Sequence, residues 1–210
     1  MHNQFELYRK NLIKEVINLF SYISIYKSLA EARENRLEEI NFAPAFFGIV
    51  TQSLYTSIIL WIYKLFDKNS ERGIYNFLLF VEDNLSLFSK KHYKQHKSIS
   101  DNDWRFTEIG WTELNLIELN EFKKIFDKNE ILKNVKRQRD KFYAHFDSKY
   151  FYSLDKLYID APIKWNDFYE IKKNLDNIIN RISVAYDGSG YSFDTVNIND
   201  VKGILDTIKK

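Results

Sequence analysis

The 210-residue chain contains no cysteine, which excludes disulfide bonds, thiolate zinc sites and cysteine nucleophiles. It has only two prolines and six glycines, and such sparse punctuation favours long helices over hairpins. The chain also has little excess of either charge, because 31 basic and 29 acidic residues leave a net charge of +2. A protein that coats duplex nucleic acid carries a larger basic excess, so any contact with nucleic acid is expected to be local.

Several sequence signals are missing as well. The glycines never cluster ahead of a helix as a phosphate-binding loop requires, and the serine-nucleophile pattern Gly-x-Ser-x-Gly does not occur. The first residues, MHNQFELYRK, lack the basic segment and apolar run that mark a signal peptide, so we expect a cytoplasmic protein. The composition, 45% apolar and 17% aromatic, predicts a folded chain.

Apolar residues recur at three- and four-residue steps along much of the chain, as Leu12, Val16 and Leu19 illustrate. Helices are predicted over residues 4–36, 44–66, 74–89, 112–126, 130–146, 165–186 and 201–209, with a polar surface loop over 90–111 and an aromatic connection over 147–165. This pattern predicts an all-α fold, a helical bundle of five to six helices. The bundle would occupy residues 1–186, and a linker with a short C-terminal tail helix would occupy 187–210.

One stretch, residues 42–63, carries no charge and is long enough to span a bilayer. Its centre contains threonine, glutamine and serine, which suit a helix buried in a bundle better than one that faces lipid. We therefore expect a core helix and no membrane contact, with a membrane-associated helical protein as the alternative.

The histidines occupy different settings. His92 and His96 stand four apart, a spacing that places two imidazoles on one helical face. The residues between them lack the glutamate of a metalloprotease, and the lysines around them disfavour a bound cation. We therefore expect no metal site there, but a solvated basic loop or a contact with a phosphate backbone. His2 lies at the terminus, where we expect disorder.

The remaining histidine, His145, lies in the stretch RQRDKFYAHFD over residues 137–147, and five residues separate it from Arg139. Chance supplies such a spacing readily, and basic helix ends are common because cations favour the C-terminus of a helix dipole. The context is more specific. Asp140 directly follows the arginine, and the unit closes a predicted helix in a small chain without cysteine.

The segment RDKFYAHFD, residues 139–147, resembles the signature of the HEPN superfamily in its abortive-infection AbiU-like branch. That signature is an arginine followed by a polar residue, then a histidine after four to six residues. Residues 57–78 resemble the second helix of that branch and the turn after it, and residues 161–182 resemble its closing helix. The likeness covers residues 5–186. It implies a metal-independent endoribonuclease, often a toxin or phage-defence effector, that works as a homodimer with the two motifs meeting at the interface.

The side chains fit that chemistry. Histidine titrates nearest to neutral pH and can act as general acid or base when an RNA 2′-hydroxyl attacks phosphorus. The planar fork of arginine binds phosphate oxygens and keeps its charge. Arg139 is therefore expected to stabilise the transition state and His145 to transfer the proton, with no cofactor. On an ideal helix the two diverge by about 120°, so we expect two copies of the chain to combine them.

Four further residues are expected in supporting or RNA-binding roles: Arg137, Asp140, Lys141 and Tyr143. Arg137 would contact RNA phosphates, and Tyr143 would stack on a base or pack against the protein. Asp140 would pair with Lys136 or orient the histidine of a second copy. The expected partners are an RNA substrate, a second copy, and an antitoxin or defence-system protein. The alternative from another class is a catalytically inactive helical module that binds a nucleotide, RNA or a protein.

Overall fold

The structure is a computed structural model that describes residues 2–127, 129–193 and 199–208. Within these ranges all regular secondary structure is helical, which confirms the predicted all-α fold. Twelve α-helices lie in the described part: α1 (His2–Asn35), α2 (Leu37–Asn41), α3 (Pro44–Phe66), α4 (Ile74–Asp83), α5 (Lys90–Lys97), α6 (Trp104–Thr107), α7 (Leu116–Lys124), α8 (Glu130–Gln138), α9 (Ser148–Phe151), α10 (Leu154–Asp160), α11 (Trp165–Asp187) and α12 (Asp200–Ile208). A 3₁₀ turn covers Leu85–Phe88, and a π-helical turn covers Arg139–Tyr143.

The longest helices lie where the hydrophobic periodicity predicts them. α1, α3 and α11 contain 34, 23 and 23 residues. Pro44 opens α3 because its fixed φ and missing N–H suit the first helical position. The predicted number of five to six helices is too low for the described residues, since α9 and α10 form within the predicted connection over 147–165.

The predicted surface loop over residues 90–111 is wrong in part, because α5 and α6 form within it. The hydroxyl of Ser89 accepts a hydrogen bond from the backbone N–H of His92 at 3.2 Å, so it caps the N-terminus of α5. Tyr93 anchors this helix with only 1% of its surface exposed. A cap and a single buried aromatic therefore stabilise a basic helix that shows no apolar periodicity.

The chain divides into two compact units, which are described separately. Unit 1 consists of Met1–Ile13, Leu65–Leu132 and Trp165–Ser192. Its core is aromatic: Phe5 is fully buried, with its ring centroid 4.4 Å from that of Tyr186 and 5.2 Å from that of Phe88. Such tilted and edge-on contacts are the geometries that aromatic rings prefer.

A buried ion pair lies beside this aromatic core. Arg9 Nη2 is 2.7 Å from Asp187 Oδ2, and the two side chains are 6% and 11% exposed. Burial alone would raise the pKa of Asp187, but hydrogen bonds from Arg9 and from Ser189 hold that pKa below its usual range. Arg9 Nη2 also lies 2.8 Å from Glu6 Oε2, but that side chain is 44% exposed, so Asp187 is the buried carboxylate that compensates the charge of Arg9.

Unit 2 consists of Lys14–Lys64, Lys133–Lys164 and Phe193–Lys210. One buried cluster in it contains Leu29, Ala32, Ile40, Phe47 and Leu205. Leu205, 1% exposed, lies on α12, so the C-terminal helix packs into the core of this unit. The domain boundary at residue 187 stays a prediction. Part of the predicted linker (194–198) and the predicted end of the tail helix (209) lie outside the described residues.

Helix α3 is, within the described ranges, the one helix long and apolar enough to cross a membrane by length and composition. Only 22% of its most apolar 18-residue window is buried. Ile58, Ile59 and Ile62 are fully buried, whereas Phe46 and Ile49 are 59% and 66% exposed. The predicted core helix is therefore confirmed in its second half, while its first half presents an exposed apolar face. The absence of membrane contact stays a prediction.

Candidate active site

The helix that carries the Arg/His motif ends earlier than the sequence predicts. α8 stops at Gln138, and Arg139–Tyr143 form a π-helical turn in which the N–H of Ala144 donates to the carbonyl of Arg139 at 2.8 Å. A π turn is wider than an α turn, and such turns occur frequently at functional sites. The motif therefore begins on a rare local conformation that composition and periodicity do not reveal.

His145 lies beyond that turn on a non-helical bend, so its predicted place on a helix over 130–146 is wrong. The reason is the local chemistry of Asp147. Its N–H donates to the carbonyl of Lys141 at 3.0 Å, and its carboxylate accepts from the N–H of Lys149, capping α9. The chain thus turns into a new helix instead of continuing the old one. The divergence of about 120° expected on an ideal helix does not apply.

Arg139 is held by an aromatic face and by one carboxylate. Its guanidinium carbon lies 3.6 Å from the ring centroid of Tyr63, on α3, and its side chain is 23% exposed. Nη1 is 2.6 Å from Asp140 Oδ1, an ion pair that is not aligned as a hydrogen bond. A guanidinium stacked on a ring keeps its N–H groups at the edges of its plane, where they can bind phosphate oxygens.

His145 is exposed, and among the described residues no hydrogen bond, ion pair or ring contact holds its imidazole. It is followed by exposed aromatics, which we call the aromatic cluster: Phe146, Phe151 and Tyr152 are 73%, 54% and 86% exposed. The ring centroid of Phe151 lies 5.2 Å from that of Phe146 and 5.3 Å from that of Tyr152. No contact in the described structure joins the side chains of His145 and Arg139, so one chain presents them separately.

The segment before the motif is fixed by its hydrogen bonds to three consecutive carbonyls, those of the last residue of α10 and of the two residues that follow it. Arg137 donates to the carbonyl of residue 160 at 2.8 Å, buried Gln138 to that of Ala161 at 2.7 Å, and Asn134 to that of Pro162 at 2.9 Å. Gln138 also accepts a hydrogen bond from the hydroxyl of Tyr55 at 3.0 Å. Gln138, directly before Arg139, is therefore held by two hydrogen bonds to different parts of the chain. The sequence does not reveal that α8 fixes the start of the motif in this way.

The other predicted supporting residues have defined places. Asp140 pairs with Arg139, and within the described ranges it makes no pair with Lys136. Lys141 Nζ is 2.9 Å from Asp147 Oδ2, and this hydrogen bond raises the pKa of Lys141 and lowers that of Asp147. Both side chains of that second pair thus help to hold the bend that carries the histidine.

A pocket lined by tyrosines lies in the same unit, and sequence reasoning missed it. Its volume is about 560 Å³, and its walls include Tyr26, Arg33, Tyr55, Tyr143 and Tyr158. The ring centroid of Tyr143 lies 5.9 Å from that of Tyr55, so Tyr143 packs against the protein, one of the two roles expected for it. The seven-residue spacing of Tyr26 and Arg33 on α1 places them on one helical face, a signal that could have indicated this surface.

A histidine of the predicted surface loop, His92, lies next to the histidine at the start of α1. His92 Nε2 lies 2.9 Å from Nε2 of His2, and His2 Nδ1 is 2.7 Å from the hydroxyl of Tyr186. His2 is therefore placed at the start of α1, contrary to the expected disorder. Across the described part of the chain, no group of three or more histidine, aspartate or glutamate side chains is arranged to hold a metal ion.

Comparison with known protein families identifies a match. A family model, HEPN_AbiU2, described as AbiU2, matches residues 2–204, almost the whole chain. No curated protein matches the chain, and no solved structure matches it.

Proposed function

The chain belongs to the AbiU2 family of HEPN domains, a family associated with abortive infection, and from that premise we propose that it is a metal-independent endoribonuclease. It would act in the cytoplasm as part of a phage-defence or toxin–antitoxin system, where an antitoxin or another defence protein would restrain it. The proposal is carried by the placement of two side chains at the π turn. Arg139, at its start, is stacked on Tyr63 with the edges of its guanidinium open, and His145, just beyond its end, is exposed.

Arg139 would bind the scissile phosphate. Tyr63 fixes the plane of its guanidinium, and the misaligned contact with Asp140 is one that a phosphate can replace. As the 2′-hydroxyl oxygen bonds to phosphorus, negative charge builds on the equatorial phosphate oxygens. A fixed cation placed against that charge stabilises the transition state more than the ground state.

His145 would move the proton. The 2′-hydroxyl loses a proton as its oxygen bonds to phosphorus, and the 5′-oxygen gains one as its bond to phosphorus breaks. The products are a 2′,3′-cyclic phosphate and a 5′-hydroxyl. An imidazole in contact with solvent can serve either transfer near neutral pH.

A homodimer would complete the site. One chain does not bring the two side chains into contact, and the aromatic cluster beside His145 leaves an apolar surface open to a second copy. In a two-fold dimer, Arg139 of one copy and His145 of the other would share a phosphate.

The test is cleavage of RNA by the purified chain in excess EDTA. His145→Ala should lower the rate by about 10²–10⁴-fold, and Arg139→Ala by about 10²–10³-fold. Matched controls are His96→Ala, at an exposed histidine in α5, and Arg72→Ala, at an exposed arginine whose guanidinium also lies over a tyrosine ring.

Both controls should cleave at the wild-type rate, and the melting temperature of each variant shows whether it is folded. Wild-type rates in folded His145→Ala and Arg139→Ala would refute the proposal. RNA binding without cleavage by the wild type would favour the inactive binding module instead.

A mixing experiment tests the shared site. Equal amounts of Arg139→Ala and His145→Ala, allowed to exchange subunits, should recover about a quarter of wild-type activity, because half of the dimers are mixed and each has one intact site. No recovery from confirmed mixed dimers would place both residues of each site on one chain.

A further inference from the structure

The tyrosine-lined pocket beside the π-helical turn Arg139–Tyr143 has the size and lining of a ligand site. Its volume of about 560 Å³ lies in the range of pockets that bind small molecules. We propose that this pocket binds one nucleotide of a single-stranded RNA substrate, with the base among the tyrosine rings and a flanking phosphate on Arg33. This inference rests on the proposed function, because it assigns the recognition of the same substrate.

The tyrosine rings are arranged to receive a base. The ring of Tyr55 meets those of Tyr26, Tyr143 and Tyr158 at centroid distances of 5.5, 5.9 and 6.2 Å and interplanar angles of 45°, 61° and 78°. None of these three contacts is a parallel stack, so no two of these rings lie face to face. Stacking of a base on an aromatic ring strengthens the binding of single-stranded nucleic acid by about tenfold.

The polar groups of the pocket suit a nucleotide. Arg33 is exposed, and among the described residues it makes no hydrogen bond or ion pair, so its guanidinium is open to a phosphate. The exposed amide of Gln52 lines the same pocket and can both donate to and accept from a base edge. Burial raises the pKa of Tyr55 and of Tyr143, so both hydroxyls stay neutral. The Tyr55 hydroxyl donates to Gln138, whereas the hydroxyls of Tyr143 and Tyr158 bond to each other and leave one O–H that can donate to a base.

One residue belongs both to the pocket and to the π-helical turn that carries Arg139. Tyr143 ends the π-helical turn that Arg139 begins, and its hydroxyl lies 3.3 Å from that of Tyr158. A base held by these rings therefore belongs to a nucleotide close to the scissile phosphate. The pocket would select which nucleotide stands there.

A glycine in the pocket wall allows the site to be filled without removing any group. A Cβ added at Gly48 meets no atom within 4 Å, and Gly48 lies inside α3, where a leucine is a better helix former. Gly48→Leu should therefore occupy the pocket and keep the fold. The matched control is Gly203→Leu, at a second helical glycine, in α12, where an added Cβ also meets nothing.

The experiment compares these two variants on a pool of RNA with random sequence. The wild type and Gly203→Leu should show a base preference at one position next to the cut. Gly48→Leu should lose that preference and raise KM by about tenfold or more, the loss expected from one stacked base, while kcat changes little. Wild-type preference and KM in folded Gly48→Leu would overturn the proposal.

Binding measurements separate this proposal from the ribonuclease itself. His145→Ala, which leaves the pocket intact, should bind short single-stranded RNA, and the double variant His145→Ala/Gly48→Leu should bind it at least tenfold more weakly. If the wild type does not cleave RNA, that difference in binding would support the pocket and reject the ribonuclease. If the wild type cleaves RNA but the two variants bind RNA equally, the ribonuclease would be supported and the pocket rejected. Binding of AMP, GMP, CMP or UMP that Gly48→Leu abolishes, with RNA binding unchanged, would identify a free-nucleotide site and overturn the RNA assignment.

Discussion

Gln138 is the buried residue through which α8 is attached to its surroundings directly before Arg139. It is 0% exposed, its amide N–H donates to the carbonyl of Ala161 at 2.7 Å, and its amide oxygen accepts from Tyr55 at 3.0 Å. Replacement by leucine keeps a similar volume and removes both hydrogen bonds.

The cost follows from what each partner loses. The Ala161 residue is fully buried, so its carbonyl stays unsatisfied, at about 1–3 kcal/mol. Tyr55 lines a pocket, so we expect its hydroxyl to bond to water in the variant, and this loss is only about 0.5–1.5 kcal/mol. Gln138→Leu should therefore lower the free energy of unfolding by about 2–4 kcal/mol. For a chain of this size that is a fall in Tm of roughly 4–16 °C.

Urea unfolding followed by circular dichroism measures this change. The matched control is Gln95→Leu, at an exposed glutamine in α5, which should change stability by less than about 0.5 kcal/mol. Tyr55→Phe removes one hydrogen bond alone and should fall between the two. If Gln138→Leu were as stable as Gln95→Leu, the locked arrangement before Arg139 would be refuted.

Three further predictions concern unit 1. Asp187→Asn removes the buried carboxylate partner of Arg9 and leaves the cation with the more exposed Glu6, so it should cost about 1.5–3 kcal/mol in urea unfolding, and a loss under 1 kcal/mol would contradict the buried pair. Gly188→Ala should cost about 1–3 kcal/mol, because φ is +75° and the new Cβ would lie 2.5 Å from the Tyr93 hydroxyl, and unchanged stability would refute that close approach. Burial, with neighbouring imidazoles, lowers the pKa of His92, so the unfolded chain takes up the proton first and stability should fall as pH drops below about 6.5. His92→Gln should weaken that fall between pH 7 and 5, whereas an identical pH profile would show that another group causes it.

Periodicity predicted the long helices because each buries a continuous apolar stripe that repeats every three or four residues. Periodicity failed to predict α5, where Tyr93 is the one buried side chain and the Ser89 cap stabilises the N-terminus of the helix. It failed again at α9 and α10, which are short helices started by local turns and held by a small cluster around Leu157. Elements of four to eight residues carry too few apolar positions for a period to be seen.

The candidate site was predictable in its residue types and not in its geometry. Arg139 and His145 could be singled out because few side chains bind phosphate or titrate near neutral pH. The π turn between them depends on a five-residue hydrogen bond that no local composition specifies. The stacking of Arg139 on Tyr63 joins positions 76 apart in sequence, so only the folded chain brings it about.

The most direct test of the central claim is the chemistry of the RNA ends made in excess EDTA by the wild type and by His145→Ala. Attack by the 2′-hydroxyl predicts fragments with a 2′,3′-cyclic phosphate and a 5′-hydroxyl, made by the wild type and not by the variant. Fragments with a 5′-phosphate and a 3′-hydroxyl, or equal cleavage by folded His145→Ala, would contradict it.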